Sequence, residues 1–285
     1  MEINKKIKLL DFKLKKDLWT MLFWAYKSIF SWNWIDFLEH REYLPWDPVK
    51  NIDWKTIWKT DKIYSKVFEE DRDLNVLFVL DLSWNIDLGF FSKTKKDLLE
   101  EVFYYLSMSC NYSWDNIGVY LLWIEEKPIF ISYKKWLTNI YKTIKYIENS
   151  ENYLDIDFKK ELINISKKNI NKNLIFILSD NLSNKDNDWL KFLSQKNEVI
   201  YLWIFDYFEN NLYQTNANIS LWNKNDFINI SLDDKKKVIK YRELRNSKIS
   251  EFKTFLNKFS IDYLLLDTKK DIYKELYLFF SKLKK

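Results

Sequence analysis

The chain has 285 residues, 47% hydrophobic and 31% charged, so it can bury a core and is not intrinsically disordered. With 46 basic and 41 acidic residues, its mild net charge of +5 favours solubility over a nucleic-acid partner. The longest early apolar stretch, residues 18–30, is shorter than the about 20 residues of a membrane span. No secretory signal is expected, and the single Cys110 excludes an intrachain disulfide, so a cytoplasmic location is predicted.

The composition has one anomaly, which is 2 glycines against 14 tryptophans. A usual glycine content of about 7% would give about 20 glycines, because turns with positive φ favour a residue without Cβ. Several tryptophans stand in polar turn contexts that suit glycine: Trp32, Trp34, Trp46, Trp84 and Trp114. Our hypothesis is that most of them are glycines encoded by UGA in a lineage that reassigns this codon. Trp54 is expected to be a genuine tryptophan.

The first 72 residues lack strong periodicity and are predicted to form an N-terminal segment packed on a main domain, 73–285. From residue 76 the chain alternates apolar strands with amphipathic helices. Strands are predicted at 76–80, 117–124, 128–133, 173–179, 198–205 and 261–266, and helices at 93–110, 138–147, 189–196 and 271–283. This alternation predicts an α/β fold with a doubly wound, mostly parallel sheet. The polar region 211–253 contains strand-like pieces and a helix that the pattern does not place.

Oxygen-bearing side chains follow two of the most apolar strands. Asp81, Ser83 and Asn85 follow the first, Asp180 follows a later one, and Thr138 opens a helix between them. Ligands of open α/β sheets bind outside the carboxyl ends of the strands. A set of hard oxygen donors at this edge suits Mg²⁺ or Mn²⁺.

The segment Asp81-Leu82-Ser83-Trp84-Asn85 resembles the Asp-x-Ser-x-Ser motif of von Willebrand factor A-type domains. The resemblance implies that Ser83, Asn85 and Thr138 touch the metal ion, and that Asp81 and Asp180 act largely through water. Position 85 is asparagine where the family has serine, so an amide oxygen would be the ligand there.

The stretch before the first strand is similar to the signature of domain-of-unknown-function family fifty-eight (DUF58). The family pattern Arg-x-Tyr, Gly-Asp and Ile-Asp-Trp is matched by Arg41, Tyr43, Asp47, Asp53 and Trp54, with Trp46 on the family's glycine. The resemblance implies a bacterial protein with a von Willebrand A-like domain that works with a MoxR-type AAA+ ATPase.

Structural roles are the alternative interpretation of these residues. Arg41, Asp47 and Asp53 are expected to form a buried polar network that anchors the N-terminal segment. Asp81 and Asp180 could instead cap helices or pair with lysines, as aspartates after strands commonly do. His40 has no nucleophile context and no second imidazole, so a general-base role has little support.

Two functions of different classes follow from the sequence. The leading one is a non-enzymatic, metal-dependent binding module, in which Mg²⁺ keeps one coordination position for an acidic side chain of a partner protein. The alternative is a Mg²⁺-dependent phosphoryl-transfer hydrolase with Asp81 as nucleophile. Such enzymes usually carry a second aspartate two residues on, where this chain has Ser83.

Overall fold

The computed structural model describes residues 37–45, 52–54, 63–68, 74–82, 86–87, 89–90, 93–124, 127–135, 137–150, 163–165, 173–181, 188–212, 218–223 and 226–283. Two strands near the start of the described chain, β1 (Phe37–Glu42) and β2 (Tyr64–Phe68), form a small antiparallel sheet. Ile52 forms an isolated bridge to Ser65 of β2. The predicted division of the chain near residue 72 stays a prediction.

A six-stranded sheet forms the main body. Its strands are β3 (Asn75–Asp81), β4 (Asn116–Ile124), β5 (Lys127–Lys134), β6 (Leu174–Ser179), β7 (Glu198–Phe205) and β10 (Asp262–Asp267). They lie in the order β10-β7-β6-β3-β4-β5, and only β5 runs antiparallel. This is the strand order of a doubly wound sheet, and its switch point lies between β3 and β6. The predicted α/β class and mostly parallel sheet are therefore confirmed.

Strand β3 shows why the central strands are continuous apolar runs. Alternate side chains of a strand point to opposite faces, and each residue from Val76 to Leu80 is 0% exposed. Val76, Phe78 and Leu80 join the core cluster on one face, whereas Leu77 and Val79 join the cluster on the other. Both faces need apolar side chains because helices cover both.

Five helices of the described residues flank the sheet. The cluster containing Phe78 includes residues of α1 (Lys95–Tyr112), α2 (Leu137–Glu148) and α6 (Ile272–Leu283). The opposite cluster includes residues of α3 (Asp188–Lys196) and α5 (Lys235–Lys258). The predicted helix and strand positions agree with these bounds to within two residues. Within the described residues, no helix is both long and apolar enough to cross a membrane.

Helix α1 begins and ends with well-defined caps. Thr94 and Asp97 form a capping box, in which each side chain accepts from the other residue's backbone N–H. At the other end Trp114 N donates to Asn111 O, and Asp115 N donates to Cys110 O. These two bonds form a Schellman motif, and Trp114 holds its left-handed position with φ of 63°. Glycine is the residue that this conformation favours.

The described residues between β7 and β10 include parts of the region 211–253, which the pattern did not place. A one-turn helix α4 (Tyr207–Asn210) follows β7. A separate antiparallel pair follows, β8 (Asn218–Asn223) and β9 (Asp226–Ser231). Helix α5 then returns along the sheet to β10. Its two apolar anchors Phe252 and Leu256 pack on the main core, and Val238 packs in a satellite cluster with Phe208, Leu212 and Leu232.

Candidate functional site

Four neighbouring parallel strands end at an aspartate on the carboxyl edge of the sheet. Asp81 ends β3, Asp180 directly follows β6, Asp206 directly follows β7, and Asp267 ends β10. Because these strands are adjacent and in register, their last residues form a row along one edge. The first two flank the switch point, where open α/β sheets bind ligands. The structure therefore brings Asp81 and Asp180 to the same edge, as predicted.

Asp81 is buried, with 5% of its surface exposed. Its Oδ2 accepts a hydrogen bond of 2.5 Å from the Ser179 hydroxyl of the neighbouring strand. The same hydroxyl oxygen accepts from Asn181 N at 3.0 Å, so it joins β3 to the loop after β6. The hydroxyl of Tyr201 donates to Asn181 O at 2.9 Å, and burial raises the pKa of this phenol. The Asp81 carboxylate is thus part of a buried hydrogen-bond network.

Lys95, the first residue of α1, provides the positive charge of the site. Its Nζ lies 2.7 Å from Asp180 Oδ2 and 3.0 Å from Glu209 Oε1. The Lys95 side chain is only 2% exposed, and the two carboxylate side chains are 12% and 11% exposed. Burial alone would lower the pKa of Lys95, but the two carboxylates outweigh it and raise the pKa above its ordinary value. Lys95 is therefore a buried ammonium held between two elements of the carboxyl edge.

A second ion pair extends this network to helix α5. Glu209 Oε2 accepts from Arg245 Nη2 at 3.0 Å, and Arg245 Nε donates to Asn210. The charges of Asp180, Lys95, Glu209 and Arg245 consequently alternate along a chain of contacts that crosses four elements. We call these four residues the charge chain. Buried pairs of this kind are costly to break because one charge is left without compensation.

The other two aspartates of the row have internal partners. Asp206 is fully buried; it accepts from Phe208 N at 2.9 Å and from the Thr268 hydroxyl at 2.9 Å. Asp267 Oδ1 accepts from Lys269 N at 2.7 Å. Burial raises the pKa of Asp267, and the backbone N–H of Lys269 partly offsets this. These two carboxylates cap and join the ends of β7 and β10.

Thr138 does not lie at this edge, so its prediction as a metal ligand beside Asp81 is wrong. Strand β5 runs antiparallel to β4, and its last residue, Lys134, pairs with Ile117 near the start of β4. Helix α2 begins three residues later, and Asn139 Nδ2 donates to Ile117 O at 2.7 Å. Thr138 is therefore at the amino edge, separated from Asp81 by the length of a strand, roughly 15 Å.

The structure describes three of the five predicted magnesium ligands, and these three do not come together at one site. Ser83 and Asn85 lie outside the described residues, as do Trp32, Trp34, Trp46, Trp84 and Trp136. Of the other three, Thr138 is at the opposite edge, and an oxygen of Asp180 is bound to a buried ammonium. Within the described ranges, no group of three or more His, Cys, Asp or Glu is placed to hold a metal ion. The donor set that the structure presents at Asp180 does not fit Mg²⁺.

The N-terminal signature shows a different arrangement from the expected network. Asp53 is buried, as predicted, and its Oδ2 lies 2.7 Å from His40 Nε2. Arg41 is exposed, so the expected burial of this residue is wrong. Tyr43 N donates to Ile63 O at 2.9 Å, and Trp54 is 62% exposed. Asp47 lies outside the described residues. Sequence reasoning missed His40 as the partner of Asp53 because it considered the imidazole only as a base.

Sequence reasoning also missed most of the carboxyl edge. Asp206 and Asp267 follow apolar strands just as Asp81 does, so that signal was present. No comparable sequence pattern marked Lys95 or Glu209. Lys95 is one charged residue at the start of a helix, and Glu209 is one charged residue within a single helical turn. The prediction for Thr138 failed because the strand before it, β5, runs antiparallel to β4 and returns the chain to the amino edge.

Solved structures similar to the chain share little sequence with it. A conserved hypothetical protein BatB from Bacteroides thetaiotaomicron is 11% identical, with a TM-score of 0.42, over 74% of this chain and 98% of the other. A D319A mutant of the PilB minor pilin from Streptococcus sanguinis is 10% identical, with a TM-score of 0.41, over 78% of this chain and 63% of the other. No curated protein matches the chain.

The family comparison is more specific. The model of the family described as "Protein of unknown function DUF58" matches residues 39–241, which is more than half of the chain. The matched range includes the N-terminal signature, the carboxyl edge from Asp81 to Glu209 and the first part of α5. The chain belongs to this family, DUF58.

Proposed function

We propose that the protein is a non-enzymatic module that binds an acidic partner protein at the carboxyl edge of its sheet. The observation that carries this proposal is the distribution of charge. Helix α5 contains nine Lys and Arg residues against two Glu, a net charge of +7. The whole chain has 46 basic and 41 acidic residues, so the remainder has 37 and 39 and a net charge of −2. One helix therefore holds the entire positive excess.

The basic end of α5 extends beyond the sheet. Arg245 contacts Glu209 and Asn210 of α4, which directly follows the carboxyl end of β7, so residue 245 is level with this edge. The preceding ten helical residues, 235–244, span about 15 Å at 1.5 Å per residue. We call Lys235–Leu244 the overhang. It holds five basic residues and one acidic residue: Lys235, Lys236, Lys237, Lys240, Arg242 and Glu243.

The chemistry of the overhang favours an acidic protein. Ile239 and Leu244 are 43% and 56% exposed among the lysines. A mixture of apolar side chains with a charged rim is typical of protein interfaces. Four of the five basic residues are lysines, which give a point charge without the bidentate geometry of arginine. The occupant is therefore expected to combine carboxylates with apolar side chains.

A catalytic role has less support from the same edge. Asp81 is buried and bound to Ser179, which leaves it poorly placed to attack a phosphorus atom. Asp180 is bound to Lys95. A von Willebrand A-like domain that works with a MoxR-type AAA+ ATPase in the cytoplasm is the specific form of this proposal, and such an ATPase would have to present an acidic surface.

Charge reversal tests the proposal. The variant Lys236→Glu/Lys237→Glu/Lys240→Glu changes the charge of the overhang by six without touching its packed residue Val238. Glutamates at positions 236 and 237, in the first turn, also suit the helix dipole, so folding should be preserved. Binding of a fluorescein-labelled peptide with a repeated Glu-Glu-Leu sequence is measured by anisotropy in EDTA. We expect salt-dependent binding by the parent chain and a loss of at least tenfold in the variant.

A matched control lies in the same helix. The variant Lys248→Glu/Lys253→Glu/Lys258→Glu has the same charge change on the part of α5 that runs along the sheet. This control variant should bind the peptide with an affinity within about threefold of the parent chain, because its substitutions lie alongside the sheet and away from the overhang. Equal losses in both variants, or tighter binding of a duplex DNA oligonucleotide than of the peptide, would reject an acidic protein partner at the overhang.

A further inference from the structure

We infer that the Lys95 ammonium takes the place of the divalent cation that the sequence predicts, so that Asp180 and Glu209 are paired by the chain itself and the switch point needs no metal ion. This inference concerns the same edge as the proposed function, but its test does not depend on partner binding.

The contacts of Lys95 are those of a cation site. The Nζ atom is almost completely excluded from solvent, and it bridges carboxylates from two separate elements, Asp180 after β6 and Glu209 in α4. A lysine side chain rarely enters a protein interior without such partners. Its position at the first turn of α1 is fixed by the capping box of Thr94 and Asp97, which orients the side chain toward the switch point.

A divalent ion would compete directly with this ammonium. A Mg–O bond is about 2.1 Å, and Lys95 Nζ lies 2.7 Å from Asp180 Oδ2. An ion bound directly to this oxygen would therefore lie within about 5 Å of a buried positive charge, and an ion bound to it through water would have to share it with the ammonium. Repulsion between like charges at that distance is strong where water is excluded. Asp180 can thus serve the ammonium or a metal ion, and the structure shows it with the ammonium.

The replacement also explains why the charge chain continues to Arg245. A metal ion ligated only at the switch point would leave Glu209 facing α5 without its lysine. The ammonium instead reaches Glu209, which in turn holds Arg245. The built-in cation therefore connects the switch point with the base of the overhang, which a bound ion between β3 and β6 would not do.

The test is a titration with Mn²⁺ alone, followed by the electron paramagnetic resonance signal of the free ion. The parent chain should show no saturable site up to 1 mM Mn²⁺. In the Lys95→Gln variant the carboxylates of Asp180 and Glu209 lose their cation, and we expect one saturable site per chain with a dissociation constant at least tenfold below 1 mM. The matched control is Lys96→Gln, which removes an adjacent lysine that contacts Ser150 O and Asp87 and should gain no site.

Each result has a definite meaning. Stoichiometric binding of Mn²⁺ to the parent chain at micromolar concentration would overturn the inference. A folded Lys95→Gln variant without any gain would overturn it too, because Lys95 would then not be what excludes the ion. Should this variant not fold in EDTA, 1 mM Mn²⁺ should restore its folding, as followed by circular dichroism, because the ion then replaces the ammonium; no recovery would overturn the inference. Peptide binding in EDTA is measured separately, so the proposed function can stand or fall independently.

Discussion

At the carboxyl edge of the main sheet four strands end at aspartates, whereas at the amino edge asparagines begin or precede four strands: Asn75, Asn116, Asn173 and Asn197. The amides make short local bonds, such as Asn116 Nδ2 to Asn75 Oδ1 at 3.1 Å and Asn173 Nδ2 to the Tyr133 hydroxyl at 2.8 Å. The carboxylates need a cation or several N–H and O–H donors. The carboxyl edge thus carries a row of carboxylates that are compensated within the chain, whereas the amino edge carries a row of amides.

The difference teaches where ligands can act. Uncharged amides form hydrogen bonds with nearby polar groups and need no counter-charge. A row of carboxylates is favourable only while each has a partner, and the partner of Asp180 comes from a helix that begins 85 residues earlier in the chain. The carboxyl edge is therefore the part of the molecule where one substitution changes the balance of charge most.

The largest expected effect on stability is at the carboxyl edge, from Lys95→Met. This change leaves Asp180 and Glu209 buried without their common cation, which typically costs 3–5 kcal/mol, so we expect a loss of about that size in the free energy of unfolding. Urea denaturation measures it. Lys96→Met, in which a more exposed lysine loses one hydrogen bond to Ser150 O, should cost about 1 kcal/mol. Equal costs would remove the contrast between the two lysines.

The next largest effect on stability is expected at the amino edge. Asn139 Nδ2 donates to Ile117 O at 2.7 Å and to Ser132 O at 2.8 Å, and the residue is 3% exposed. Asn139→Ala leaves two carbonyl groups without this donor, with an expected cost of about 1–3 kcal/mol. Its control is Asn116→Ala, whose exposed bond to Asn75 should contribute almost nothing. A negligible effect of Asn139→Ala in urea denaturation would show that this edge does not depend on its amides.

A gain of stability is expected from the turn that precedes β4 at the amino edge. Trp114→Gly removes a Cβ from a residue with φ of 63°, and it should raise the free energy of unfolding by about 1 kcal/mol. Trp54→Gly, at an exposed position without positive φ, should bring no gain. The mass of the peptide that contains residue 114, taken from protein made by the native organism, tests the codon hypothesis itself: a mass with tryptophan would reject it for this position.

The smallest expected effect on stability is again at the carboxyl edge. Burial raises the pKa of Asp267, so the ionised carboxylate disfavours the folded state at neutral pH. Asp267→Asn keeps an oxygen for Lys269 N, and we expect a small gain in stability. The gain should be absent at about pH 2, where the carboxyl is protonated in both states, should grow as pH rises above the unfolded pKa of about 3.9, and should level off above the raised pKa of the folded protein. A gain that is constant from pH 3 to pH 7 would contradict this explanation.

Much of the fold could be predicted because apolar runs such as residues 76–80 are unambiguous when a strand is buried on both faces. The switch-point aspartates followed from the same runs. The site could not be completed, because Lys95, Glu209 and Arg245 are brought together by helix packing over more than 100 residues and carry no local pattern. The prediction that Asp180 pairs with a lysine was among the alternatives, but no sequence rule chose which of the many lysines it would be.

The most direct test of the account is the melting temperature of the parent chain in 10 mM MgCl₂ and in EDTA at equal ionic strength. A ligand that binds only the folded state raises stability by about 2.7 kcal/mol at one hundred times its dissociation constant. Because Lys95 already neutralises Asp180, we predict the same melting temperature in both solutions. A melting temperature that rises with Mg²⁺ concentration and saturates would show that the edge is completed by a metal ion instead.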